Sequence, residues 1–339
     1  MNFAQSLLWP LSVPYGAIAR LRAGMYQSGV LRRRRLEGKV ISVGNLTVGG
    51  TGKTPMVAWI ASRLLTEGKR VGILTRGYRG RGEELPGGEP SSDEVRLLKA
   101  RLGDAVALGV GADRLAAGQR LSAKGVEWFV LDDGFQHLQL ERNVDIVLVD
   151  ASNPFGGGHL LPAGRLREPR SALSRADFVV ITRSESSPAL ETAVRRHSNA
   201  PIFYARPKLE EIITLRPGAS RSQIPVERPT RYFAFCGIGN PGAFLADLRT
   251  WGIEVVDHRF FPDHHRYTAD DVARVIRAAS DARADQLICT EKDIFNLKPE
   301  EWGTFAIRYC RISMQVDQAD EFWRAILSKA ASGSASART

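Results

Sequence analysis

Between a short β-branched run, Val40–Val43, and an amphipathic helical pattern lies Gly44-Asn45-Leu46-Thr47-Val48-Gly49-Gly50-Thr51-Gly52-Lys53-Thr54. No other segment restricts the fold as strongly. The glycines let successive backbone N–H groups turn inward on an anion, and the helix N-terminus behind them adds partial positive charge. Lys53 supplies a mobile cation and Thr54 a hydroxyl for a magnesium ion. The arrangement needs a buried strand leading in and a helix leading out. The strict phosphate-loop pattern wants glycine where this chain has Thr47, but the GGxGKT form keeps three glycines, so the segment reads as a variant of that loop. Asn45, Thr47, Gly49, Gly50, Thr51, Gly52, Lys53 and Thr54 are accordingly the expected ATP-binding residues, with Thr54 also directed to Mg²⁺.

The pattern around the loop agrees. Val57, Ile60, Ala61, Leu64 and Leu65 recur at helical spacing, with Pro55 in the first turn where a missing N–H costs little. Further strands are expected at Val71–Thr75, Trp128–Asp132, Ile146–Asp150 and Phe178–Thr182. Alternation of such strands with helices predicts an α/β fold, a P-loop NTPase-type parallel sheet flanked by helices. A Pro- and Arg-rich stretch then breaks the pattern, and a second, smaller α/β set follows at Tyr232–Cys236, Leu287–Thr290 and Phe305–Ile312. The expected organisation is an N-terminal segment over 1–35, a core over 36–205, a linker over 206–230, a smaller α/β domain over 231–315, a C-terminal helix over 316–329 and a disordered tail over 330–339.

A formal charge of +10 favours an anionic partner: nucleic acid, an acidic membrane surface or a phosphorylated substrate. Neither the aromatic-basic pattern of an RNA-binding sheet nor zinc spacing occurs, so nucleic acid is not expected. The three cysteines are scattered, which argues against a disulfide framework and a thiolate metal site and fits a reducing cytoplasm. The apolar N-terminus has no basic leader, and Pro10 and Pro14 interrupt it well short of a membrane span. Leu7, Leu8, Trp9, Leu11, Val13, Tyr15, Ile18 and Leu21 precede Arg32–Arg35. That order suits a segment lying in a membrane interface, or a helix packed on the domain before a solvated arginine run.

A phosphate loop needs a carboxylate at the end of a neighbouring strand to hold the metal. Asp132 and Asp133 are the preferred pair, because adjacent carboxylates repel unless a cation lies between them. Asp150 ends another strand and has the alternative of capping the loop after it. Asp93 and Glu94, behind Ser91 and Ser92, open a helical run, a position where acids also serve as ordinary first-turn residues.

Taken together, Gly44–Pro55, Thr75–Tyr78, Ser92–Glu94, Val110–Arg114, Asp132–His137, Asn153–Gly156, Leu160–Gly164, Leu166–Pro169, Gly237–Pro241, Phe261–His265 and Thr290–Asp293 resemble one family, the tetraacyldisaccharide 4'-kinases of lipid A synthesis. The resemblance implies a two-domain kinase, peripheral on the cytoplasmic face of the bacterial inner membrane, its partners an anionic membrane surface and a lipid A disaccharide 1-phosphate precursor. It implies transfer of the γ-phosphoryl of ATP to the 4'-hydroxyl of that tetraacylated acceptor. It also implies Asp93 as base, His264 as its partner from the second domain and Glu94 as a metal-site residue, with Tyr78, Arg114, Gln136, His137, Arg167 and Glu168 toward substrate. Arg165 departs from the family, where proline is expected. Two readings compete: a partition or switch-type P-loop ATPase, which would carry an extra lysine where this chain has Val48, and a kinase for a soluble sugar, which needs no interfacial segment.

Overall fold

Lys39–Asn45 forms β1, buried at every position but the first, and the chain crosses from it into the helix α2, Lys53–Thr66. The computed structural model describes residues 3–77, 84–85, 89–90, 92–215, 230–297, 302 and 306–332. In chain order the elements are α1 (Phe3–Gln27), β1, α2, β2 (Val71–Thr75), the paired short strands β3 (Glu84–Leu85) and β4 (Glu89–Pro90), α3 (Asp93–Leu102), β5 (Val106–Val110), α4 (Arg114–Ser122), β6 (Trp128–Asp132), β7 (Val144–Asp150), β8 (Phe178–Thr182), α5 (Pro188–Arg195) and β9 (Ile202–Leu215). There follow β10 (Tyr232–Cys236), α6 (Pro241–Thr250), β11 (Val255–Phe260), α7 (Ala269–Asp281), β12 (Gln286–Thr290), β13 (Ile307–Val316) and α8 (Ala319–Ser332). The chain divides into two units, Met1–Arg206 with Met314–Thr339, and Pro207–Ser313.

In the first unit the strand order is β9-β8-β7-β1-β6-β2-β5, and the neighbouring strands pair in parallel. Parallel strands place their carboxyl ends on one edge, so Asn45, Thr75, Asp132, Asp150 and Thr182 share that edge. Strands buried on both faces need apolar side chains on both, and β1, β6, β7 and β8 are runs of Val, Ile, Leu and Phe. One core joins Met56, Val57, Ile60 and Leu64 of α2 to Phe322, Trp323 and Ile326 of α8, where Trp59 stacks on Phe322. In the second unit β10 lies between β11 and β12, with β13 beyond β12, all parallel. Its three cysteines, Cys236, Cys289 and Cys310, are buried free thiols.

Several expectations need correction. Residues 206–215, expected in a linker, continue β9; a half-solvated strand needs no apolar run, and Pro207, lacking an N–H, falls after the pairing with β8 ends at Ala205. The strand expected to end at Ile312 runs on to Val316, and residues from Met314 onward belong with the first unit. The final helix reaches Ser332, into the tail expected to be disordered from 330; residues 333–339 lie outside the described residues. Pro10 and Pro14 do not interrupt α1, which runs through both, and both are exposed.

Candidate active site

Gly52, at the N-cap of α2, is in the left-handed region at φ +86°, and Gly49 has φ +118°. These conformations cost a side chain but not glycine. Gly44 is glycine for a different reason: a Cβ there would lie 2.6 Å from Phe135 Cβ and 2.7 Å from its backbone nitrogen. No side chain caps α2 and no acid occupies its first turn, so its positive end is left to an external anion. Buried Asn45 organises the loop mouth. Its amide donates to Thr47 Oγ1 at 3.3 Å, and its Oδ1 accepts from Lys53 Nζ at 3.2 Å and from Arg167. Thr182 Oγ1 donates to the Thr51 carbonyl at 3.2 Å. A second loop backs the first: Val48 N–H donates to Arg165 O, and Arg167 N–H to Leu46 O.

Asp132 and Asp133 take different roles. Asp133, at φ +52°, receives a bidentate bond from Arg167, at 2.7 and 2.8 Å, with Lys53 Nζ at 3.5 Å. Partial desolvation alone would raise its pKa, but Lys53 and Arg167 hold this carboxyl well below the usual range. Asp132 is 3% exposed, and among the described residues its Oδ1 has no hydrogen-bond partner; Thr75 Oγ1 lies 3.5 Å from the other oxygen. Burial first, then the Glu94 and Asp133 charges, push Asp132 up to about 7. A buried carboxylate oxygen lacking a donor, among acids that repel it, fits a divalent cation. Among the described residues no three acidic, imidazole or thiol groups converge into a ready-made cage for one. Asp150 follows the capping alternative: Oδ1 accepts from Ser152 N at 2.9 Å and Ser152 Oγ at 2.6 Å, and Arg183 bonds Oδ2 at 3.3 Å.

Asp93 is the first residue of α3 and is buried, its Oδ1 accepting from Glu94 N at 3.0 Å. Ser92 stands at the N-cap without a side-chain cap bond, so the conventional serine cap is not formed here. Arg114, buried at the start of α4, is disfavoured as a cation by burial and by Arg76, and favoured by Asp133 and Asp132. His137 is pushed down to about 4 by burial and then by Arg114, Arg142 and Arg22.

Gln136 and Glu168, expected toward substrate, are engaged with the protein. Glu168 is bonded by Arg175 at 2.9 and 3.0 Å and by Gln136 Nε2 at 3.1 Å, and Gln136 also donates to the Asn45 carbonyl at 3.0 Å. These bonds fix the Arg167 loop against the end of β1. Arg175, which also lies over the Phe135 ring at 4.5 Å, carried no sequence signal; Thr75 ends a strand in one of the resembling stretches. Tyr78 lies outside the described residues.

Helix α1 docks on the same loop through a narrow seam. Ser12 Oγ donates to Leu160 O at 2.9 Å and accepts from Ala163 N at 3.1 Å, Tyr15 OH donates to Arg167 O at 3.1 Å, and Arg22 donates to Gln136 O at 3.3 Å. Its other face exposes Leu7, Leu8, Trp9, Leu11, Val13, Ile18 and Leu21, and Arg32–Arg35 are exposed beyond it. No helix among the described residues is long and apolar enough to cross a membrane.

In the second unit, His264 has φ +60° and donates its N–H to Gly237 O at 3.0 Å; its Nε2 lies 3.4 Å from Lys292 Nζ and 3.8 Å from an Asp263 oxygen. The adjacent His265 is bonded to Asp271 at 2.9 Å and stacked on Phe261. Of the two histidines, His265 is committed to the fold.

The sequence profile described as LpxK, tetraacyldisaccharide-1-P 4'-kinase, matches residues 4–331. A tetraacyldisaccharide 4'-kinase of Geobacter metallireducens is 44% identical over 310 residues, covering 87% of this chain and 89% of the relative. One from Pelobacter propionicus is 41% identical over 302 residues, covering 85% and 82%. The crystal structure of "apo" form LpxK from Aquifex aeolicus in complex with ATP aligns with a TM-score of 0.71 at 29% identity, over 96% of this chain and 99% of that one.

Proposed function

The chain belongs to the tetraacyldisaccharide-1-P 4'-kinase family, and from that premise we propose how its residues carry the reaction. It is an ATP-dependent kinase of lipid A biosynthesis, transferring the γ-phosphoryl group to the 4'-hydroxyl of a tetraacylated glucosamine disaccharide 1-phosphate. One observation carries the assignment of residues: Lys53, Asn45, Arg167 and Asp133 form a single network at the uncapped end of α2, beside an Asp132 oxygen that has no hydrogen-bond partner among the described residues. The nucleotide phosphates occupy the loop amides of Gly49–Thr54, and Lys53 exchanges its Asn45 and Asp133 contacts for β- and γ-phosphate oxygens.

Thr54, Asp132, Asp133 and Glu94 are the residues that would hold Mg²⁺. When bound, the ion neutralises charge on the phosphates and so lowers the barrier to transfer. Phosphoryl transfer passes through a loose transition state, so the protein's own work is orientation and charge stabilisation. Arg167, itself fixed by Asp133, and Arg114 present cations to the phosphoryl group or the acceptor's 1-phosphate. Gln136 and Glu168 hold the Arg167 loop, and His137 offers substrate an uncharged ring. Asp93 accepts the hydroxyl proton late in transfer, assisted by His264.

Peripheral attachment to the cytoplasmic face of the inner membrane belongs to the same proposal. The exposed apolar face of α1 and the four exposed arginines support it: apolar side chains enter the acyl boundary while cations meet anionic headgroups. Assaying γ-phosphate transfer from ATP to the disaccharide 1-phosphate in mixed detergent–lipid micelles tests the residue assignment. Lys53→Ala is expected to lose nearly all turnover while folding normally; near-normal turnover would remove the phosphate-loop assignment.

A further inference from the structure

Three stretches that mark the family resemblance, Gly237–Pro241, Phe261–His265 and Thr290–Asp293, have no part in the phosphate site, yet in the second unit the first and third meet at one side chain and the second rests on Gly237. Asp293 is 2% exposed. Its Oδ1 accepts from Gly237 N and from Tyr267 OH, both at 2.8 Å, and its Oδ2 accepts from Thr290 Oγ1 at 2.6 Å and Thr290 N at 3.2 Å. Three residues supply these four donors, two of them backbone N–H groups that can do nothing else. The Cys236–Gly237 peptide so fixed turns its own carbonyl, Cys236 O, to the Phe261 N–H at 2.9 Å, and the next carbonyl along, Gly237 O, accepts the His264 N–H at 3.0 Å. A Cβ on Gly237 would lie 2.9 Å from His265 Cβ and 3.0 Å from Pro262 O, so the histidine loop rests directly on this peptide. His264 itself is held at φ +60°, a conformation a non-glycine residue keeps only where its surroundings over-determine it.

We propose that Asp293 is a positioning residue for His264: by fixing the Cys236–Gly237 peptide, which anchors the loop at Phe261 and leads into the carbonyl that holds His264, it sets the backbone on which His264 hangs, and so aims the imidazole. Lys292, the preceding residue, reaches the ring from the same turn, 3.4 Å from Nε2. The proposal rests on the reading that His264 serves the transfer. Asparagine is the informative replacement. Its amide can accept on one side only, so its NH₂ faces either the Gly237 or the Thr290 N–H, and one backbone donor loses its acceptor while side-chain volume is kept.

The test is steady-state kinetics on the full-length enzyme for Asp293→Asn, His264→Ala and the double variant, together with ¹⁵N-imidazole NMR of the histidines. Displacing a catalytic group by about 1 Å costs on the order of 100-fold, so Asp293→Asn is expected to lower kcat by ~10- to 100-fold with little change in either KM. In the His264→Ala background the same change is expected to cost no more than about twofold, because the group it aims is gone. The His264 resonances should move in Asp293→Asn while those of His265, tied to Asp271, stay. A multiplying loss in the double variant, or an unmoved His264 resonance, overturns the role of Asp293 alone. Full turnover by His264→Ala overturns the His264 reading and this inference with it. If Asp293→Asn does not fold, Tyr267→Phe removes one donor to the same oxygen, and a smaller kcat loss with the same dependence on His264 is expected; a loss independent of His264 counts against the proposal.

Discussion

Leu11 and Ile18 stand on one face of α1, seven residues apart, with 58% and 66% of their surface exposed. Their replacement by serine tests whether that face is a membrane surface. Fully burying a Leu or Ile side chain is favourable by roughly 1.5–3 kcal/mol. Scaled by these exposures, entry into the acyl boundary stabilises by about 1–2 kcal/mol per side chain, or about 2–4 kcal/mol for the pair. At 1.4 kcal/mol per decade, Leu11→Ser/Ile18→Ser is expected to weaken partition onto anionic vesicles by roughly 30- to 700-fold, read by co-sedimentation with sucrose-loaded vesicles. Neither side chain belongs to the core, so the unfolding free energy should move by less than about 0.5 kcal/mol. Serine at Arg32–Arg35 should instead weaken binding mainly at low salt, since that part is electrostatic. Unchanged partition by the double variant, or a clearly lowered unfolding midpoint, would show that the face packs on protein and refute the argument.

Asp133→Asn removes one of the two acceptor oxygens of the Arg167 fork and the negative charge facing Lys53, and is expected to raise the Mg²⁺ requirement of transfer or abolish it; Asp150→Asn, whose carboxylate is engaged with Ser152 and Arg183, is expected to cost less, and the reverse order in a Mg²⁺ titration would reassign the metal acids. His137 is depressed from its ordinary 6.5 to about 4, so the stability of keeping it neutral is fully present above pH 6.5 and is lost as pH falls toward 4. Urea midpoints across that window should therefore fall less steeply for His137→Gln; an equal slope would mean the ring is not the group being charged. Asp93→Asn and His264→Ala should each lower turnover strongly with ATP binding retained, and the double variant should be little slower than the slower single one; multiplying losses would separate their roles.

The phosphate loop and its flanking β1 and α2 were legible because their chemistry is local: glycines at φ +118° and +86°, a lysine and a threonine at fixed spacing, and a helix behind them. Strands of Val, Ile and Leu announce themselves in the same way. The charged continuation of β9, with Arg206, Lys208 and Glu210, does not, because a strand with one face toward water carries no apolar run. Edge strand β5, Val-Ala-Leu-Gly-Val, was missed because Ala and Gly dilute the β signal. The pairing of Asp133 with Arg167 and of Glu168 with Arg175 depends on loops meeting in space, which spacing does not encode. Nor does sequence periodicity show that α1 turns Ser12 and Gly16 inward and its large apolar residues out, the reverse of an ordinary surface helix.

All three cysteines of the chain lie in the second unit, and all are buried. Burial pushes the Cys236 and Cys289 thiols far up and that of Cys310 to about 12. A thiolate is the species that reacts, so in the native state these sulfurs are silent toward alkylating reagents and mild oxidants alike. They become reactive only when the second unit opens, and the first unit contributes no thiol to the signal. Alkylation kinetics on the unaltered chain therefore time the opening of the second unit, without any engineered label.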